Sequence, residues 1–147
     1  MICRVFLLVS ALIFSLGFSA VAFAAEKLPS GFIAKADAKM PWAEAKTFCE
    51  QKGGKLPRMD NSDSLPHDHK VKQVENFGAP DSKMPAGLPG GYYWSGTEDS
   101  KRPGPDKGGP TVDERTGFAW GIDGRGGYFS VNTYRKNRAN AVVCVPK

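Results

Sequence analysis

The chain is poor in the side chains on which most enzymes depend. Its 147 residues hold two histidines, His67 and His69, and three cysteines, Cys3, Cys49 and Cys144. A catalytic site needs a base, a nucleophile and an oxyanion site held together. Two histidines in one short polar segment and cysteines better used in a cross-link supply little of that, so no catalysis is expected. There is no internal repeat and no coiled-coil heptad, which leaves one small globular domain as the expected organisation. Gly and Pro account for 28 residues, a share well above average but below the roughly 25–30% at which disorder becomes the default. The expectation is a loop-rich fold.

What is present begins at the N-terminus. Arg4 is the only positive side chain before a stretch, Val5 to Ala22, that is apolar apart from Ser and Gly, and Ala22-Phe23-Ala24 has the form of a small-residue cleavage site. Residues 1–24 read as a secretory signal peptide and 25–147 as a single mature domain. The apolar run also has the length of a bilayer span, about 17–25 residues, so an uncleaved anchor is the alternative. The small-residue site favours cleavage, and Cys3 lies too far from it to become a lipid-bearing terminal cysteine.

The mature chain keeps Cys49 and Cys144. In the oxidising compartment an exported protein meets, two cysteines with no third most simply form one disulfide. It would close a loop of roughly 95 residues, worth about 4–5 kcal/mol in the chain-entropy model. The expected location is secreted or periplasmic, with the cell surface as a further destination, and no membrane association after cleavage.

Along the mature chain, Pro41 to Lys52 is the best helix candidate. Pro41 suits a first turn, Trp42, Ala45, Phe48 and Cys49 share a face, and Gly53-Gly54 stops the pattern. A weaker second helix is expected from Leu65 to Phe77, where Val71, Val74 and Phe77 recur every three residues, with Asp63 or Ser64 as its cap. Ala79 to Gly91 carries too many breakers for a regular element. Tyr92 to Thr97 reads as a strand, Glu98 to Arg115 as a long polar loop, and Phe118 to Ile122, Tyr128 to Asn132 and Ala139 to Val145 as further strands around a turn at Asp123 to Gly127. The fold class expected is α+β, two helices packed on short antiparallel sheets with long loops.

Four pieces in order carry a family resemblance: Trp42, Ala45 and Cys49 on a helix; Gly54-Lys55-Leu56-Pro57; Tyr93-Trp94-Ser95-Gly96-Thr97-Glu98; and Ala141-Val142-Val143-Cys144-Val145. Together they resemble the C-type lectin-like fold, and within it the bacterial Lcl-type C-terminal domains of secreted and surface proteins, over about Phe32 to Lys147. The resemblance implies a Cys49–Cys144 bond between first helix and last strand, and places Trp94-Ser95-Gly96 at the family's Trp-x-Gly position. The chain departs from the family where calcium-dependent sugar binding is concerned. It has no Glu-Pro-Asn or Gln-Pro-Asp tripeptide, no Trp-Asn-Asp, and no cysteines for a second disulfide. Formylglycine-generating enzymes have a distantly related fold, but their chemistry relies on reactive cysteines that this chain does not have free.

His67-Asp68-His69, with Asp60 and Asp63 nearby, lacks the convergent spacing of a zinc site, and Asp60 to Asp63 lacks the glycine and terminal glutamate of a calcium loop. Both read as solvated turns, and neither metal nor cofactor is expected. Charge is the stronger signal. Residues 25–100 hold 10 basic and 11 acidic side chains, whereas residues 101–147 hold 9 basic and 4 acidic. Lys101, Arg102, Lys107, Arg125, Arg135, Lys136 and Arg138 are the candidate anion contacts, because arginine pairs bidentately with sulfate, carboxylate or phosphate. The opposing reading is scattered charge that keeps an exported protein soluble. Tyr128 and Tyr134 are the candidate stacking surfaces, Trp42 and Trp94 are assigned to the core, and Trp120 is open between core and platform. The function expected is a non-catalytic exported module that binds an anionic glycan or a partner protein, and not nucleic acid. The alternative is a structural or assembly subunit of a surface appendage or periplasmic complex.

Overall fold

A computed structural model describes residues 27–102 and 117–147. The expected signal peptide, Lys107 and most of the expected Glu98 to Arg115 loop lie outside those residues. Trp42–Gln51 form the helix α1, with Pro41 at its cap in an extended conformation. Trp42, Ala45 and Cys49 point inward at i, i+3 and i+7. Lys52 N–H donates back to the carbonyls of Phe48 and Cys49, and Gly53, at φ +79°, turns the chain out of the helix as only a residue without Cβ does at little cost.

Seven strands accompany it: β1 (Ala34–Lys35), β2 (Gly54–Lys55), β3 (Ser64–Leu65), β4 (Tyr92–Asp99), β5 (Phe118–Asp123), β6 (Ser130–Arg135) and β7 (Val143–Pro146). They form a three-stranded sheet, β1-β7-β2, and a four-stranded sheet, β3-β4-β5-β6. All pairings are antiparallel except β3 with β4. The register of β4 on β5 shifts between Trp94 and Glu98. There β4 turns its polar groups to other partners. Ser95 Oγ donates to Trp120 O (2.8 Å), Thr97 Oγ1 donates to Ser62 O (2.7 Å) and accepts from Met59 N–H (2.8 Å), and the Trp42 indole donates to Ser95 O (2.8 Å). Each of these buried groups is thereby satisfied, which is what allows a polar Ser-Gly-Thr run inside the protein.

Strand alternation gives the larger sheet two packed faces. One carries Trp94, Ala119 and Tyr134 against Trp42, Ala45 and Cys49 of α1, with Leu56, Val142 and Cys144. The other carries Tyr93, Trp120 and Ile122 against Phe32, Met59, Val74, Phe77 and Phe129, among others. Cys49 and Cys144 are bonded (S–S 2.05 Å, Cα–Cα 5.4 Å) and fully buried.

The two-helix α+β expectation is corrected: there is one short helix and seven strands in two sheets, a mostly β protein. The expected helix from Leu65 to Phe77 does not form because its backbone groups bond elsewhere. Asp60 N–H donates to Gln73 O, Glu75 N–H to Arg58 O, and the Asp60 carboxylate accepts from the amides of Lys72 and Gln73. Val71, Val74 and Phe77 are buried as the triplet pattern implies, but from an irregular segment bridged to Met59. The strand expected at Tyr128 to Asn132 forms later, at Ser130–Arg135, and that expected at Ala139 to Val145 forms as Val143–Pro146.

Replacing Cys49 and Cys144 together by Ser should cost about 4 kcal/mol, because the bond spans 95 residues of chain. Calorimetric melting of the wild type with and without reductant, beside the double variant, measures this; equal melting temperatures would show the bond to be idle.

Candidate functional site

The candidate cations lie mostly around the β4-β5-β6 sheet, and the sheet divides them. Tyr92 on β4 pairs with Asp123 on β5, and Ala119 pairs with Tyr134 on β6. These positions share one face. Phe118 and Arg135, also paired, take the opposite parity and the opposite face.

On the first face the Arg125 guanidinium forks onto Asp123, Nε to Oδ1 and Nη2 to Oδ2, both at 2.9 Å. Its Cζ stands 4.3 Å from the Tyr92 ring centroid, and Arg138 Cζ stands 4.2 Å from the same ring and 4.9 Å from that of Tyr134. The Tyr92 and Tyr134 rings meet edge-on at 5.6 Å. Gly121 makes room for this: a Cβ there would sit 2.7 Å from the Tyr134 ring. Hydrogen bonding from Arg125 holds the Asp123 carboxyl below its ordinary value, and the same pairing raises Arg125.

On the other face Arg102 Nε donates to the fully buried Asp99 carboxylate (2.9 Å) and its Nη2 donates to Thr133 Oγ1 (2.7 Å). Its Cζ lies 3.8 Å from the Phe118 ring, and Arg135 Cζ lies 5.9 Å from that ring. Lys101 Nζ is bonded to Asp68 (2.6 Å), and Lys136 Nζ to Glu98 (2.6 Å) while lying 4.4 Å from the Trp42 ring. Of the expected cations, therefore, Lys101, Arg102, Arg125 and Lys136 each have a carboxylate partner. Arg135 and Arg138 form no direct ion pair among the described residues, although the charge of Arg138 helps to lower the Asp123 carboxyl.

The aromatic expectations divide as well. Tyr128 is 58% exposed, but Tyr134 is only 9% exposed, because it faces the helix side of the sheet and packs edge-on to Trp94 at 6.3 Å. The expectation of an exposed Tyr134 is corrected on that ground. Trp42, Trp94 and Trp120 are all buried. Trp120 is held by its indole N–H, which donates to Leu65 O at 3.1 Å, and it belongs to the core. Tyr92 and Asp123 complete the cluster without having been singled out in the sequence. Asp123 two residues before Arg125 in a turn was the available signal, whereas the contribution of Tyr92 depends on cross-strand pairing.

His67 and Asp68 form an exposed turn, as expected, and both histidines have a carboxylate neighbour. His69 Nε2 lies 2.7 Å from Asp60 Oδ2, and His67 Nδ1 lies 3.6 Å from Asp99 Oδ2. Among the described residues, no group of three or more His, Cys, Asp or Glu side chains converges as a metal site. No family model, no curated protein and no solved structure matches the chain.

Two pH effects follow. Burial pushes the Tyr134 phenol up to about 12 from 10.0. Its folded value lies above the unfolded one, so its contribution is intact below pH 10 and lost as pH rises toward about 12. Tyr134→Phe should flatten the urea-unfolding free energy across that alkaline window. The Asp60 carboxyl is pushed up by burial, but hydrogen bonds from His69, Gln73 and Lys72 outweigh this and hold it below 3.8. Its contribution is present above that pH and fades as pH falls below it. Asp60→Asn should remove this acid dependence and cost about 1 kcal/mol at neutral pH, read from the same unfolding curves.

Proposed function

We propose that this protein is an exported, non-catalytic binding module that recognises an anionic group, sulfate or carboxylate on a glycan, through Arg138. The observation that supports this is the position of the Arg138 guanidinium. It is stacked on Tyr92 and Tyr134 and forms no direct ion pair among the described residues, its charge reaching the Asp123 carboxylate only through space. Stacking on ring faces restricts a flexible side chain while leaving its N–H edges free, the form in which arginine accepts a planar or tetrahedral anion bidentately. Arg125, whose Cζ lies 4.3 Å from the same Tyr92 ring centroid, is already occupied by Asp123 and serves to shape the surface. The similarity to Lcl-type lectin-like domains rests on the quoted residues. The buried disulfide is consistent with an extracellular location. Binding by this route needs no calcium.

Retention on a heparin column with and without chelator tests the proposal. The wild type should be retained equally in both. Arg138→Ala should weaken affinity for a heparin oligosaccharide by about tenfold, the loss of one good charge-assisted contact, and Arg138→Lys should restore little of it. Elution of the wild type at low salt, or an Arg138→Ala protein that behaves like the wild type, would sink the idea.

A further inference from the structure

Strand β6 is the outer strand of its sheet, and the chain itself uses part of its free edge. Lys136 N–H donates to Gly117 O. In an antiparallel ladder the bonded pairs alternate, so Tyr134, Asn132 and Ser130 turn their main-chain groups toward β5, while Val131 and Thr133 turn theirs outward; the Thr133 N–H is taken by Asn132 Oδ1 (2.8 Å), which leaves Val131 as the open position. The same parity continues before the strand. Phe129 N–H donates to Ser82 O, Asp81 N–H to Phe129 O, and Met84 N–H to Gly127 O. The segment from Asp81 to Met84 is thus a short extra strand laid on the edge at residues 127–129. It stops there, and at Val131 the edge has no main-chain partner among the described residues.

Where that ladder stops, a groove of about 620 Å³ opens between β6 and the segment from His67 to Lys72. Its far wall carries His67, His69, Lys70 and Lys72. Lys70 and Lys72 flank buried Val71, so both amines lie on the solvent side, two residues apart, and neither has an ion pair among the described residues. Asp81 is the acidic residue that lines the groove. The side-chain repeat of an extended peptide is also two residues.

We propose that this groove is a peptide-binding site. It takes an extended segment of a partner protein with acidic residues at alternate positions, which adds to the edge of β6 at Val131 and sets its carboxylates against Lys70 and Lys72. Main-chain pairing to a sheet edge supplies affinity that does not depend on sequence, and the opposite wall selects the charge. An anionic glycan meets the lysines but has no strand to pair with Val131, which is why the edge favours a peptide. The site is separate from Arg138 and does not depend on its role.

The test uses the full chain and a fluorescent peptide, acetyl-Thr-Glu-Val-Glu-Val-Glu-Thr-amide, read by anisotropy. Saturable binding is expected, at least about tenfold tighter than for the peptide with Lys in place of Glu. Lys70→Glu with Lys72→Glu should abolish that preference. Val131→Pro removes only an outward-facing N–H, a substitution that edge strands accept, and should weaken binding while leaving the melting temperature near that of the wild type. Should that variant fail to fold, a peptide N-methylated at alternate residues removes the same bonds from the ligand side and should likewise bind more weakly. The proposal is overturned by absence of saturable binding, by equal binding of the Glu and Lys peptides, or by binding that N-methylation leaves unchanged. It is also overturned if a heparin oligosaccharide binds better than the peptide in a manner sensitive to Lys70 and Lys72.

Discussion

The bond between Cys49 and Cys144 is the constraint on which the layout depends. It joins α1 to β7, the middle strand of the three-stranded sheet, at a point where both residues have no solvent exposure. A chain so rich in glycine and proline has a large conformational entropy to lose on folding. A cross-link over most of the described length removes part of that loss in advance, by restricting the unfolded chain. With α1 held to β7, Trp42 and Ala45 cover the helix-side face of the larger sheet, and Leu56, Trp94 and Val142 fill the space between.

The second organising feature is the register shift of β4. Between Trp94 and Glu98 the strand leaves its regular ladder with β5, and the freed polar groups of Ser95 and Thr97 hold Met59, Ser62 and Trp120. This carries the segment after Leu56 across the end of the sheet. It also places Asp60 where its carboxylate can order the Lys72 and Gln73 amides. The wall that faces β6 is therefore held by the Asp60 carboxylate, behind residues that themselves line the groove.

The pairing of charges narrows what the basic C-terminal third can do. Its excess of positive charge is real, yet four of the expected contacts spend their charge on Asp68, Asp99, Asp123 and Glu98. The exposed pair Lys101–Asp68 adds little to stability, whereas Arg102 satisfies the buried Asp99 carboxylate. Among the expected contacts these pairs leave Arg138 and Arg135 without a direct ion pair among the described residues, and strand parity places the two on opposite sides of one sheet.

The helix at Pro41, the aromatic strand at Tyr92, the strand at Phe118 and the pairing of Cys49 with Cys144 were legible from local pattern and cysteine placement, because helix periodicity and turn residues act over short range. The segment from Leu65 to Phe77 was not. Its triplet of apolar residues correctly marked burial, but whether its amides bond locally or to Arg58 and Asp60 is decided by distant chain. The same holds for the site. Composition by itself determined that positive charge is concentrated after residue 100. Only the tertiary structure decided which cations are neutralised and which rings they stack on, because strand parity and cross-strand register, set by packing on both faces of the sheet, determine where each side chain points.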